Sequence, residues 1–284
     1  MAQRQVSQLQ EACHSIIIKP PTWLWREPGL APYVQCVRRY GDLVSAEMQT
    51  QGRWLGCDNL YVLWHEAQHD PGLFVDVGAN IGACTLALLA VGARVVAFEP
   101  LPSNFWYLNE SMRINAHWRD RLILWPVALG ARNATEIIYT ERGNAGNSPL
   151  RFPTHAQDSL GIEVSTITLD HALWPDPLQP APRVGLLKID VQGFEPFVLE
   201  GATRLLQARA ILFIQMEVAS EWLLNVGRKP SELCQILSAA GFTLYVLQCA
   251  VQPVRKAQER LTQGQCQRWD SEKVECEIIA RRNN

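Results

Sequence analysis

The sequence predicts an α/β fold in which a mostly parallel β-sheet carries helices on both faces. Three observations predict it. From residue 73 onward, short apolar runs alternate with helical stretches, the rhythm of strand-helix-strand units. The run Val184-Gly185-Leu186-Leu187-Lys188-Ile189-Asp190 is apolar on both faces apart from Lys188, as a central parallel strand requires. Carboxylates close three strand-like runs, at Asp76, Glu99 and Asp190, so the topology delivers them to one sheet edge, where open α/β folds bind ligands.

The elements follow in order. Residues 1–70 have their own texture, with Trp23, Trp25, Trp54 and Trp64 among Pro and Gly, and read as a cap of short helices at about 4–15, 31–40 and 59–68. Asp70-Pro71-Gly72 is a turn that separates this segment from a main domain over 71–284. There the pattern predicts strand 73–77, helix 81–91, strand 94–99, helix 102–115 and strand 121–129. The rhythm then breaks into β-rich runs at 135–141 and 162–168, with a turn-rich loop, Gly143 to Asn147, between them. Alternation resumes with strand 184–190, helix 194–207, strand 210–217, helix 230–240, strand 242–248 and a final strand near 274–281. The last two strands are expected to pair as an antiparallel hairpin around a polar loop at 252–272.

Composition narrows the function classes. A net charge of −2, built from well-mixed signs without a basic run, leaves no electrostatic footprint for nucleic acid. No run approaches the roughly 18 apolar residues of a membrane span, and Ile16-Ile17-Ile18 is too short for a signal core. Cysteines at 13, 36, 57, 84, 234, 249, 266 and 276 are scattered without a CxxC pair and read as reduced, buried small residues. A soluble, cytoplasmic protein is therefore expected.

The stretch Val75-Asp76-Val77-Gly78-Ala79-Asn80-Ile81-Gly82 reads as strand, glycine turn and helix start. With Glu99 ending the next strand to hold ribose hydroxyls, it describes a nucleoside-cofactor site. A dinucleotide fingerprint begun at Gly78 requires glycines where Asn80 and Ala83 stand. Asp76 would also repel a diphosphate, whereas it suits a cationic ligand such as the ammonium of S-adenosylmethionine. His65-Glu66-Ala67-Gln68-His69 matches the zinc-peptidase pattern H-E-x-x-H, but Asp70-Pro71-Gly72 ends the helix at the second His and Val75 stands where the extended motif has a third. His155 and His171 flank the irregular region and read as loop or helix-start residues.

The runs Val-Asp-Val-Gly-Ala-Asn-Ile-Gly at 75–82, Ala-Phe-Glu-Pro at 97–100, Thr-Leu-Asp at 168–170, Lys-Ile-Asp-Val-Gln-Gly-Phe-Glu at 188–195 and Leu-Glu-Gly-Ala at 199–202 resemble the FkbM family of methyltransferases. The resemblance implies a Rossmann-like class I methyltransferase fold, seven strands with a reversed C-terminal hairpin, and S-adenosylmethionine as cofactor. It implies that Asp76, Gly78, Asn80 and Gly82 surround the methionine part, that Glu99 holds the ribose, and that Asn104 matches a family asparagine. The implied reaction is methylation of a hydroxyl on a small metabolite or glycan, and no residue is assigned as a metal ligand. Asp190 is the first candidate for the base that takes the hydroxyl proton, with Glu195 and Glu217 behind it. Gln192 stands where the family usually has Glu, and an amide can neither take a proton nor carry charge. A cofactor-binding protein without turnover and an NAD(P)-dependent oxidoreductase are the alternatives.

Overall fold

The computed structural model describes residues 13–21, 31–67, 72–141, 150, 159–249 and 259–283. Strands β1 (His14–Ile18) and β2 (Tyr33–Val37) form an antiparallel hairpin, followed by helices Leu43–Gln51 and Asp58–Ala67. Then come β3 (Leu73–Val77), helix Ala83–Ala90, β4 (Arg94–Phe98), helix Pro102–Ile114, β5 (Leu122–Trp125), β6 (Ala128–Leu129), β7 (Ala134–Glu141) and β8 (Ser159–Ile167). The remaining strands are β9 (Val184–Ile189), β10 (Ile211–Ala219), β11 (Phe242–Cys249), β12 (Glu259–Arg260) and β13 (Glu275–Arg282).

The main sheet has eight strands in the order β12-β11-β13-β10-β9-β3-β4-β5. From β10 to β5 it is parallel, while β13 runs antiparallel between β10 and β11. The reversed hairpin stands as expected, and the eighth strand is the two-residue β12 at the edge. Strands β6, β8 and β7 form a separate small sheet.

Both faces of the main sheet are buried, which explains its continuous apolar runs. Neighbouring residues on each strand enter opposite cores: Val75, Val96, Leu187 and Ile214 lie on one side, and Phe74, Val95, Leu186 and Phe213 on the other. The second core is completed by Ile18, Tyr33, Val37, Met48, Leu60 and Trp64, so the N-terminal segment shares its interior with the sheet. Helix Ala83–Ala90 is buried at every position from Ala83 to Leu89, and Thr85 is its one polar residue.

Several local expectations give way to stronger constraints. The helix expected over 31–40 is strand β2, because Tyr33-Val34-Gln35-Cys36-Val37 carries aromatic and β-branched residues that fit a pleated, buried surface better than a helix. Strand 121–129 is two strands, since Pro126 has no amide for the ladder. Helix 194–207 is broken at Gly201, where a Cβ would lie 2.2 Å from the Gly130 carbonyl oxygen. The polar loop at 252–272 contains helix Gln263–Trp269, started by a Thr262–Gln265 capping box. Most of the helix expected at 4–15, Trp23, Trp25, the loop at Gly143 to Asn147, His69 and His155 lie outside the described residues.

The largest correction concerns cysteine. All eight are paired, as Cys13–Cys36, Cys57–Cys84, Cys234–Cys266 and Cys249–Cys276. The partners lie 23 to 32 residues apart, and only the fold brings them together. Cys249 and Cys276, for example, are cross-strand neighbours on β11 and β13. Among the described residues, no helix is long and apolar enough to cross a membrane.

Candidate active site

The site begins where β3 and β9 end side by side. Asp190 donates its backbone amide to the Val77 carbonyl at 3.0 Å. Gly78 follows with φ +79°, and a Cβ there would lie 2.0 Å from the Asp190 carbonyl oxygen. Only glycine allows this contact. The Gly78 and Ala79 amides donate to the Phe98 carbonyl, tying the turn to the end of β4. Asn80 then adopts φ +52° and donates its amide to Glu99 Oε2 at 2.7 Å.

The acids beside the turn are enclosed by hydrogen-bond donors. Asp76 is 0% exposed and accepts from Thr85 Oγ1 at 2.7 Å and Lys188 Nζ at 3.1 Å. Lys188 also donates to the Gly78 carbonyl at 3.2 Å and forms an ion pair with Asp190 at 3.6 Å. Burial works against the Lys188 charge, but Asp76 and Asp190 together hold its pKa above the usual lysine value. Glu99 accepts from the Leu101 amide and from Asn104 Nδ2 as well as from Asn80. Burial pushes its carboxyl up to about 7 against these hydrogen bonds. Behind it, Arg38 donates to Asn104 Oδ1 at 2.6 Å and lies over the Tyr107 ring.

On the other side of Asp190 the arrangement changes. Gln192, at φ +55°, directs its amide nitrogen to Asp190 Oδ1 at 3.1 Å and to Glu217 Oε2 at 3.4 Å. Glu217 on β10 is the cross-strand partner of Glu277 on β13, a direct like-charge pairing that a purely structural sheet avoids. Burial first, and then Asp190, Glu195, Glu275 and Glu277, push Glu217 up to about 8. Glu277 accepts from Gln215 Nε2 at 3.2 Å and from Gln248 Nε2 at 3.0 Å. A register shift between Val246 and Gln248 brings Gln248 opposite Glu277. Glu195 is buried and accepts from the Val191 and Gly193 amides, closing the 190–195 turn, and burial pushes it up to about 7.

These parts surround a cavity of about 700 Å³. Gly78, Asn80, Asp190 and Glu217 line it, as do Gln192, Gln215, Glu275 and Glu277. Its outer wall comes from the N-terminal segment through Trp54, Leu55 and Gly56, and the Cys57–Cys84 disulfide joins that wall to helix Ala83–Ala90. Asp76, Gly82, Glu99, Asn104 and Glu195 are not among the lining residues; they lie behind the wall and brace its turns. Asp76 and Glu99 are expected from the sequence to grip the cofactor directly, whereas their carboxylates accept from Thr85 and Lys188 and from Asn80, Leu101 and Asn104.

The sequence reading missed Lys188 as the organiser of the turn, Arg38, and the pair Glu275 and Glu277. Acids at i and i+2 on a strand share one face, so Glu275 and Glu277 carried a readable signal once β13 was assigned. Of the zinc-peptidase pattern, Glu66 pairs with Arg281, and His69 is outside the described residues. His171 lies in the first turn of helix Leu169–Leu173, where its amide donates to the capping Thr168 Oγ1.

The residues present fit S-adenosylmethionine. Asn80 Oδ1 is buried at the glycine turn without a partner, an acceptor suited to an ammonium, and the carboxylate-rich cavity suits a sulfonium.

The sequence pattern of the methyltransferase FkbM domain matches residues 76–244. Hexuronic acid methyltransferase AglP of Haloferax volcanii is 28% identical over 186 residues, covering 64% of this chain and 68% of that protein. The methyltransferase FkbM structure from Methylobacillus flagellatus KT aligns with a TM-score of 0.42 at 17% identity. The alignment covers 74% of this chain but only 44% of that one, so this chain spans less than half its length. Magnesium protoporphyrin IX methyltransferase from Synechocystis PCC 6803, solved with bound SAM, aligns at 11% identity with a TM-score of 0.42 over 85% of this chain and 84% of its own.

Proposed function

Because the chain belongs to the FkbM methyltransferase family, we propose that it transfers a methyl group from S-adenosylmethionine to a hydroxyl of a small sugar-like acceptor. One observation carries this reading: the glycine turn meets the Asp190 carbonyl so closely that the cofactor turn and the acids of β9 and β10 open into the same cavity. The methyltransferase acting on hexuronic acid supports a sugar as the acceptor class. Residues 43–59 act as a cap that closes the cofactor side, pinned by Cys57–Cys84.

When bound, S-adenosylmethionine supplies an electrophilic methyl on a positively charged sulfur. The chain supplies position and a proton acceptor. Gly78 and Asn80 hold the cofactor side, and the Lys188 ammonium keeps the turn and Asp190 in register. Alignment of reactants alone is worth roughly 7–11 kcal/mol of barrier. Glu217 takes the hydroxyl proton, since a carboxyl raised to about 8 is a stronger base than an ordinary glutamate. Asp190 orients it through the Gln192 amide, a bridge that a glutamate at 192 could not make without a proton. Glu195 holds the loop shape.

Four disulfides persist where thiols are not kept reduced, so the working chain belongs in an oxidising compartment rather than in the cytoplasm.

The test is calorimetry with S-adenosylhomocysteine and with NAD, followed by methyl transfer to a panel of sugars. Tight S-adenosylhomocysteine binding, no NAD binding and turnover on a sugar hydroxyl are expected. NAD binding alone would overturn the cofactor assignment, and cofactor binding with no turnover would leave a binder.

A further inference from the structure

The cavity is short of hydrogen-bond donors on its acceptor side. Five carboxylates line it, from Glu47, Asp190, Glu217, Glu275 and Glu277, against one lysine. That lysine hydrogen-bonds Asp76 and the Gly78 carbonyl and is ion-paired with Asp190. The three glutamine amides of this wall are turned the same way, with Gln192 donating to Asp190 and Glu217, and Gln215 and Gln248 donating to Glu277.

A second observation is independent of the acids. Gln215 is 3% exposed, lines the cavity, and has spent its nitrogen on Glu277, which leaves its Oε1 as a buried acceptor without a donor. A buried orphan acceptor has a cost that a native structure normally offsets. What this wall lacks is a compact group with several N–H bonds and a positive charge.

We infer that the acceptor carries a protonated amine, seated by Glu275, Glu277 and the Gln215 oxygen, with the reacting hydroxyl beside it at Glu217. The inference rests on the methyltransferase reading and names its acceptor class as amino sugars or similar amino alcohols. The chemistry is self-consistent. An ammonium held by carboxylates keeps its proton and has no lone pair to attack with, so the neighbouring oxygen is the nucleophile. The O–CH3 bond forms as the S–CH3 bond breaks, the hydroxyl proton passes to the Glu217 carboxylate, and S-adenosylhomocysteine leaves. An acceptor bearing a carboxylate would meet repulsion from the same wall.

The test uses the full chain with its disulfides intact, saturated with S-adenosylhomocysteine, and measures binding of glucosamine, N-acetylglucosamine and glucuronate by calorimetry. Glucosamine should bind at least about tenfold tighter than N-acetylglucosamine, the scale of hydrogen bonds between charged groups, and glucuronate weakest of the three. Glu277→Gln and Glu275→Gln should each shrink that preference, with Glu277→Asp retaining part of it, while S-adenosylhomocysteine affinity reports an intact fold. Glucosamine binding no tighter than N-acetylglucosamine, failure of both to bind included, overturns the inference, as does tight glucuronate binding. Loss of S-adenosylhomocysteine binding with the glucosamine preference intact would instead sink the methyltransferase reading and leave the amine site standing.

Discussion

The two sides of the cavity use the same residue types to opposite ends. Around the glycine turn, Asp76 and Glu99 are buried acids whose oxygens receive Thr85, Lys188, Asn104 and the amides of Asn80 and Leu101. Around β10 and β13, Glu217 and Glu277 face each other across the sheet with only side-chain amides between them and their neighbours. The first arrangement fixes backbone shape. The second keeps acids crowded at a place where stability alone would remove them, which is why we propose it as the side where the chemistry is done.

The sharpest way to break this contrast is to neutralise one acid on the crowded side. Glu217→Gln should lower kcat by about 10²–10⁴, the range of a general base, and leave S-adenosylhomocysteine binding within about twofold. In the parent protein kcat/KM should rise with pH through about 8 as Glu217 loses its proton, and the variant should lack that rise. A profile unchanged by the substitution would remove Glu217 from the reaction.

Next in size is the covalent tie between the cap and the cofactor side. Replacing Cys57 and Cys84 by serine should cost about 3–4 kcal/mol in chemical denaturation, the chain-entropy value for a loop of this length. A count of free thiols on the denatured, unreduced parent should find none.

Gly78→Ala tests the rigid side. Its Cβ would strike the Asp190 carbonyl at a positive φ, so a loss of about 2–3 kcal/mol in stability and a larger loss in cofactor affinity are expected. Normal cofactor affinity in a folded Gly78→Ala protein would refute the close contact.

The smallest effect sharpens the comparison by pH. Glu99, Glu195 and Glu217 have folded-state values raised to about 7, 7 and 8 from an ordinary value of 4.5. Groups raised in this way bind protons more tightly when folded, so their contribution is complete below about 4.5 and is lost as pH rises through 7 to 8. Denaturation midpoints should fall across that window. Glu217→Gln should flatten part of the slope and stabilise the protein at pH 8 by about 1 kcal/mol, even as it disables it.

How much of this could be read in the sequence depended on how local the cause was. Strands β3, β4, β9 and β10 were legible because burial on both faces writes an unbroken apolar run. Gly78, Asn80 and Asp190 were legible because a strand ending in a turn has a local signature, and all three line the cavity. Hairpin β1–β2 was not, since Ser15 in β1 and Gln35 in β2 interrupt the apolar run and β1 is only half buried. The cysteine partners were hidden because pairing over 23 to 32 residues depends on tertiary structure alone. Nor could the sequence reveal that Asp76 faces Thr85 and Lys188 rather than the cavity, or that Glu277 sits opposite Glu217, because both are facts of register.

Cys276 lies next to Glu275 and Glu277, and Cys249 next to Gln248, so the disulfide between them crosses the sheet beside the crowded acids. Repulsion between Glu217 and Glu277 pushes β13 away from β10, and a β13 held to β11 by hydrogen bonds alone would peel away singly. A covalent rivet at that spot lets the hairpin bear the load, and the protein can keep a high local voltage at its rim without fraying.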